Sequence, residues 1–248
     1  MSNYNFIFPG QGSQSIGMSP CILETETAKK YFDKTNELLG YNLLDICLNG
    51  PDESLKKTKN TQPAIFTLSI IIDSMLKDNN IFPNAVAGHS LGEYSALVSC
   101  DIISFDKAIQ LVILRSREME KANNKTSGSM AAVLNCSIEN INDVLDNSAG
   151  ILVVANFNTD KQIVLSGEEN AIDVTLDKLR KISNRIKCIK LNVSGAFHSP
   201  LMKFAREKLE DIIDNTMFKK SEIPIYQNIE PKPITDINKI KSNLIKQL

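Results

Sequence analysis

The chain has 248 residues, an apolar fraction of 42% and a formal net charge of −1. That length holds one large domain or two small ones, and a near-zero balance gives no grip on nucleic acid or on an anionic membrane surface. Five scattered cysteines (Cys21, Cys47, Cys100, Cys136 and Cys188), without a C-x-x-C pair, exclude a disulfide framework and a zinc site and point to small buried thiols in a reduced, cytoplasmic chain.

In chain order, Met1 to Phe8 runs straight into a strand over Asn5 to Phe8, with no charged segment and apolar stretch of the kind that makes a signal peptide. Glu26 to Leu39 has helical spacing, and Asp45 to Leu48 and Glu53 to Lys57 read as short helices around the Asn49-Gly50-Pro51 turn. Thr61-Gln62-Pro63 opens a helix whose run Ala64 to Leu76, interrupted by Thr67, Ser69, Asp73 and Ser74, is too short to span a bilayer and reads as buried. A strand at Asn84 to Ala87 leads to a turn, then to helices at Glu93 to Cys100 and Phe105 to Lys121. Asn123-Asn124-Lys125 reads as a polar linker. Beyond it the order is strand (Met130 to Leu134), helix (Ile138 to Leu145), strand (Ile151 to Asn156), strand (Gln162 to Ser166), helix (Glu169 to Lys181) and strand (Ile186 to Leu191). The expected fold class is therefore α/β: a hydrolase-like parallel-sheet core, residues 1–124 and 192–248, with an inserted ferredoxin-like subdomain at 125–191.

The turn between the strand and helix of the core is Gly88-His89-Ser90-Leu91-Gly92. This is the G-x-S-x-G nucleophile elbow in the setting its chemistry needs, with Ser90 on a sharp turn and the Leu91 N–H facing the place where an oxyanion would form. A serine needs a base, and the chain has only two histidines, His89 and His198. His89 adjoins Ser90 in a tight turn, where side chains diverge, and reads as structural. His198 is the remaining imidazole, and by itself a lone histidine is more often a hydrogen-bonded structural residue. Near the N-terminus, Gly10 and Gly12 would begin a dinucleotide loop, but position 15 is serine where the third glycine belongs.

Three segments together carry a resemblance: Phe6-Ile-Phe-Pro9-Gly10-Gln11-Gly12-Ser13-Gln14, the elbow from Gly88 to Tyr94, and Gly195-Ala-Phe197-His198-Ser199-Pro200-Leu201-Met202. With Leu114-Arg115-Ser116-Arg117-Glu118-Met119 as a fourth, they resemble, in order and over the whole chain, the malonyl-CoA:acyl carrier protein transacylase family. The resemblance implies a Ser90–His198 dyad with His198 as general base. It makes Gln11 N–H the second oxyanion donor beside Leu91, and the backbone carbonyl of Gln247 the group that orients the imidazole. Spacing alone does not choose between Arg115 and Arg117; the resemblance assigns Arg115 to the malonyl carboxylate, which a guanidinium binds through two parallel hydrogen bonds. Phe197 is consistent with an unbranched malonyl group, or is a core phenylalanine, and Asn228 is read as shaping the loops around the site.

The implied reaction is a ping-pong transfer of malonyl from malonyl-CoA to the phosphopantetheine thiol of acyl carrier protein, in fatty acid biosynthesis. No cofactor and no metal are implied, and a cytoplasmic monomer without nucleic-acid or membrane partners is expected. Lys178, Arg180, Lys181, Arg185, Lys187 and Lys190 offer a basic face for an acidic carrier protein, or simply a solvated surface. Family members normally continue beyond Gln247 with a helix, a glycine-rich strand segment and a closing helix, so the core reads as lacking its C-terminal part. That implies an exposed sheet edge and a fraying Gln247. The competing functions are a serine thioesterase or hydrolase, and a catalytically weakened member that only docks carrier protein.

Overall fold

A computed structural model describes residues 4–193 and 195–248. Two compact units emerge: Met1–Arg117 with Lys208–Gln247, and Glu118–Glu207 with Leu248. The first begins with β1 (Tyr4–Phe8), the short α1 (Pro20–Leu23), α2 (Glu26–Leu39), α3 (Leu43–Asn49), α4 (Asp52–Leu55) and α5 (Thr58–Asp78). It continues through β2 (Pro83–Gly88), α6 (Gly92–Ser99) and the start of α7 (Phe105–Lys125).

Local chemistry explains α2 well. Thr25 accepts the Ala28 N–H as N-cap, Gly40 closes the helix at φ 81, and Ala28, Phe32 and Leu39 form the buried stripe. The helix α5 starts at Thr58, one turn before the expected Thr61. Asn60 Nδ2 and Thr61 Oγ1 donate to the carbonyls of Ser54 and Leu55, so these side chains draw the preceding segment into the helix. The helix α7 runs through Lys125, so Asn123-Asn124-Lys125 is not a linker. The Asn123 side chain lies against Gly195 and Lys125 sits 4.3 Å over the Phe204 ring, contacts that hold a polar sequence helical.

The second unit carries β3 (Gly128–Leu134), α8 (Ile138–Asp146), β4 (Leu152–Thr159), β5 (Gln162–Glu168), α9 (Glu169–Ile182) and β6 (Lys187–Lys190), then a 3₁₀ turn at Pro200–Met202. Its sheet has the order β4-β5-β3-β6 with every neighbouring pair antiparallel. Ala131, Val133, Ile163 and Leu165 of the sheet pack on Ile141 of α8 and on Ile172, Leu176 and Leu179 of α9.

Helix α10 (Lys203–Asn215) leads back to the first unit, which ends with β7 (Ile225–Gln227), β8 (Glu230–Ile234) and α11 (Ile237–Lys246). The first sheet has the order β1-β2-β7-β8. The pairs β1–β2 and β2–β7 are parallel, whereas β7–β8 is antiparallel, because Gln227 pairs with Glu230 across a tight hairpin. Strand β1 lies at one edge of this sheet, with Ile7 79% exposed. Among the described residues the fold is mixed α/β, with parallel pairs in one of two sheets.

Burial pushes the thiols of Cys47 and Cys100 up to about 12, and Cys136 is also buried. Cys21 is exposed, against the expectation of buried thiols, because the one-turn α1 turns only Leu23 inward. Among the described residues no helix is long and apolar enough to cross a membrane.

Candidate active site

The elbow sits where β2 ends and α6 begins. Ser90 has φ 50, a left-handed conformation that is strained for any residue with a Cβ. A Cβ on Gly88 would overlap the Gly92 carbonyl, and one on Gly92 would overlap the Phe8 carbonyl, so strand, turn and helix approach this closely only through glycine. A Cβ on Gly10 would lie 2.6 Å from the His89 carbonyl oxygen, which places the Pro9-Gly10-Gln11 loop against the elbow. His89 is exposed, and its N–H donates to the Phe8 carbonyl at 3.0 Å, tying the elbow to β1.

Every polar group of Ser90 is engaged. Its Oγ accepts from Arg115 Nη2 at 2.9 Å, its N–H donates to Asn228 Oδ1 at 2.7 Å, and its carbonyl accepts from Gln247 Nε2 at 2.9 Å. Arg115 is 1% exposed, whereas Arg117 points to solvent, so the packing of α7 separates two arginines that sequence spacing leaves equivalent. The guanidinium lies 5.7 Å from the centre of the Tyr94 ring and also donates to Gln247 Oε1 at 3.4 Å. Its Nε has no hydrogen-bond partner, and among the described residues Arg115 forms no ion pair. Burial lowers its pKa, with Tyr94 and Glu93 acting in the opposite direction.

Gln11 turns its side chain away from the elbow: Nε2 donates to Thr58 Oγ1 at 3.3 Å and Oε1 accepts from Gln62 Nε2 at 3.3 Å. These contacts with α5 anchor the loop that carries the Gln11 N–H. Gln247 is buried, which corrects the expectation of a fraying terminus. Hydrogen bonds to Ser90 and Arg115, together with buried Ile240 and Leu244 of α11, hold it. Its contact with the elbow runs through the side-chain amide, a role that the sequence reading, centred on the backbone carbonyl, did not anticipate.

Phe197 and His198 belong to the second unit, in the loop before the 3₁₀ turn. Phe197 is buried, and His198 is half-buried with φ 57. Ser199 shapes this loop by donating to the Ala196 carbonyl at 2.7 Å and accepting the Leu201 N–H.

Sequence reasoning missed Glu93, Tyr94 and Gln227. Glu93 is fully buried; it accepts the Asn228 N–H at 2.6 Å and Gln227 Nε2 at 3.1 Å. Burial raises its carboxyl to about 7, against the pull of those bonds, of Gln247 and of the Arg115 charge. The only signal in the sequence was a carboxylate in the first turn of a helix that is otherwise uncharged.

Chemically, this arrangement offers a serine hydroxyl in an elbow and a buried cation beside it with an unused donor. That suits nucleophilic attack on an acyl group that carries its own negative charge.

The comparisons agree with that chemistry. The family model described as an acyl transferase domain matches residues 5–241. The malonyl CoA-acyl carrier protein transacylase of Bacillus subtilis is 39% identical over 252 residues, which cover 100% of this chain and 79% of that protein. Its Synechocystis counterpart is 33% identical over 243 residues, covering 98% and 80%. Among solved structures, the malonyl-transacylase PlMCAT, in complex with the holo type II PKS acyl-carrier protein AntF, superposes with a TM-score of 0.93 at 33% identity, covering 100% of this chain and 81% of that one. The Synechocystis transacylase structure gives 0.90 at 33% identity over 100% and 81%.

Proposed function

The chain belongs to the acyl transferase family that includes the malonyl CoA-acyl carrier protein transacylases, and we propose that it transfers a malonyl group from malonyl-CoA to the phosphopantetheine thiol of acyl carrier protein in fatty acid biosynthesis. The observation that carries this reading is Arg115, buried, without an ion pair among the described residues and in contact with the hydroxyl of Ser90. A hydrolase acting on neutral esters has no use for such a cation, whereas a malonyl thioester brings a carboxylate that satisfies it.

In the proposed mechanism the substrate carboxylate binds Arg115 and displaces its bond to Ser90 Oγ. The freed Oγ attacks the thioester carbonyl as His198 takes its proton. The negative charge on the carbonyl oxygen is met by the N–H groups of Leu91 and Gln11. The C–S bond then breaks, the proton passes to the coenzyme A sulfur, and a malonyl ester remains on Ser90. The carrier-protein thiol attacks that ester with His198 again as base, which regenerates the serine hydroxyl. The Gln247 carbonyl orients His198, and Phe197 limits the acyl α-carbon to an unbranched group.

The chemistry calls on no cofactor, since the thioester is itself the activated group. The strand order β4-β5-β3-β6 supports reading residues 125–191 as a ferredoxin-like subdomain set into a hydrolase-like core of 1–124 and 192–248. A cytoplasmic monomer completes the proposal.

The test is intact-protein mass spectrometry after brief mixing with malonyl-CoA. A malonyl adduct that maps to Ser90, is absent in Ser90→Ala and leaves on addition of phosphopantetheinylated carrier protein supports the transacylase. An adduct lost as fast without carrier protein would make the chain a thioesterase. Absence of any adduct on folded protein would leave only the docking function.

A further inference from the structure

The register of the first sheet explains why Asn228 meets the nucleophile. Strands β2 and β7 pair at Val86 with Ile225 and at Ala87 with Tyr226, and there the ladder stops. Extended two steps further, it would set Asn228 beside the turn. At that point the chain leaves strand geometry, because Ser90 has φ 50. The Asn228 side chain takes over where the backbone cannot: Nδ2 donates to the Gly88 carbonyl at 2.7 Å and Oδ1 accepts the Ser90 N–H at 2.7 Å. A side-chain amide has one donor and one acceptor face, as a peptide group does, so it adds one more rung of pairing across the strained turn.

Something must in turn hold Asn228, which lies at the tip of the hairpin between β7 and β8. Both oxygens of Glu93 do so, one on the Asn228 N–H at 2.6 Å and the other on Gln227 Nε2 at 3.1 Å, which also donates to the Ile240 carbonyl. A fully buried carboxylate is costly unless its hydrogen bonds are made, and here they reach across about 135 residues of chain. Its place in the first turn of α6 is favourable for negative charge.

We propose that Glu93 is a positioning residue for acyl transfer: by fixing the Gln227–Asn228 tip, it makes Asn228 clamp the nucleophile turn on both sides of Ser90. The clamp does two things. It consumes the Ser90 N–H, so that the next N–H along, that of Leu91, is the elbow's donor to the oxyanion. It also sets the direction of the Ser90 Oγ. The inference rests on the transacylase reading for the identity of the acyl donor, though not for the geometry of the turn.

The experiment compares wild type with Asn228→Ala, Glu93→Ala and Glu93→Gln in the full chain. Single-turnover malonylation of Ser90 by malonyl-CoA is followed by quenched mass spectrometry, alongside steady-state kcat and KM and thermal unfolding. A turn displaced by about 1 Å loses on the order of 10²-fold in rate. Both alanine variants are therefore expected to lose about that much in acylation rate, while KM stays within about threefold in Asn228→Ala, which leaves the Glu93 charge beside Arg115 in place. Glu93→Gln keeps the volume and an acceptor for the Asn228 N–H, and is expected to recover most of the rate. Asn228→Asp avoids a cavity altogether; it keeps the acceptor for the Ser90 N–H, loses the donor to the Gly88 carbonyl, and is expected to fall between wild type and Asn228→Ala.

Unchanged acylation rates in Asn228→Ala and Glu93→Ala would overturn the inference. So would losses of kcat and KM that track the loss of folded protein without rescue by Glu93→Gln. A fluorophosphonate that labels reactive serines separates this from the transacylase reading. If wild type takes no malonyl group yet reacts with the probe, and the alanine variants react on the order of 10²-fold more slowly, the clamp stands and the reading of the substrate falls.

Discussion

Replacing Glu93 with glutamine gives a stability prediction whose size follows from the burial of that carboxyl. Burial raises its pKa from 4.5 to about 7, despite hydrogen bonds from Asn228, Gln247 and Gln227 and the charge of Arg115. The folded protein therefore holds this proton more tightly than the unfolded chain does. The stability it contributes is complete below the unfolded value and is lost as pH rises through about 7. At 1.36 kcal/mol per decade, the difference between 4.5 and about 7 amounts to roughly 3 kcal/mol. Glutamine has no proton to lose and leaves this slope out, while every other titrating group is common to the two proteins. Urea unfolding of wild type and Glu93→Gln, from about pH 4.5 to about pH 8, isolates the effect as a difference of differences. Wild type should lose about 3 kcal/mol relative to the variant across that range. A difference that stays flat with pH, or that grows in favour of wild type as pH rises, would refute the argument that desolvation dominates at this carboxyl.

Three further outcomes are expected. Arg115→Ala should lose about 10²-fold or more in kcat/KM for malonyl-CoA and should level the preference for malonyl over acetyl, because two charge-assisted hydrogen bonds at about 1.5 kcal/mol or more each are removed. Correspondingly, free malonate but not acetate should raise the unfolding midpoint of wild type and do nothing for Arg115→Ala, as differential scanning fluorimetry would show. Gly88→Ala should destabilise the protein by at least 1–3 kcal/mol in urea and abolish serine labelling, since its Cβ would overlap the Gly92 carbonyl and push the strand from the helix.

The elbow was legible because its physics is local. Two glycines around a serine, an apolar strand before and a helix after, describe a turn whose Gly88–Gly92 approach lies within five residues, and the structure sets Ser90 at φ 50 between them; only the contact of Gly92 with the Phe8 carbonyl comes from outside the segment. The same holds for α2, whose cap at Thr25, stop at Gly40 and apolar spacing fix both ends without help from elsewhere. The polar end of α7 misled for the opposite reason, since Asn123 and Lys125 stay helical through contacts with Gly195 and Phe204 that no local pattern contains.

What the sequence by itself determined was the turn that carries Ser90 and the family resemblance, both of which reside in short contiguous segments. Only the tertiary structure decided which arginine serves the first unit's interior. Residues two apart on a helix point to nearly opposite sides, and the face of α7 that packs inward, with Arg115 and not Arg117, is set by its neighbours. Only the tertiary structure, likewise, joined Ser90 to Asn228 and Gln247 and Glu93 to Gln227, pairs separated by 134 to 157 residues. A hydrogen bond is satisfied by whatever the fold delivers within about 3 Å, and spacing along the chain carries no record of that delivery.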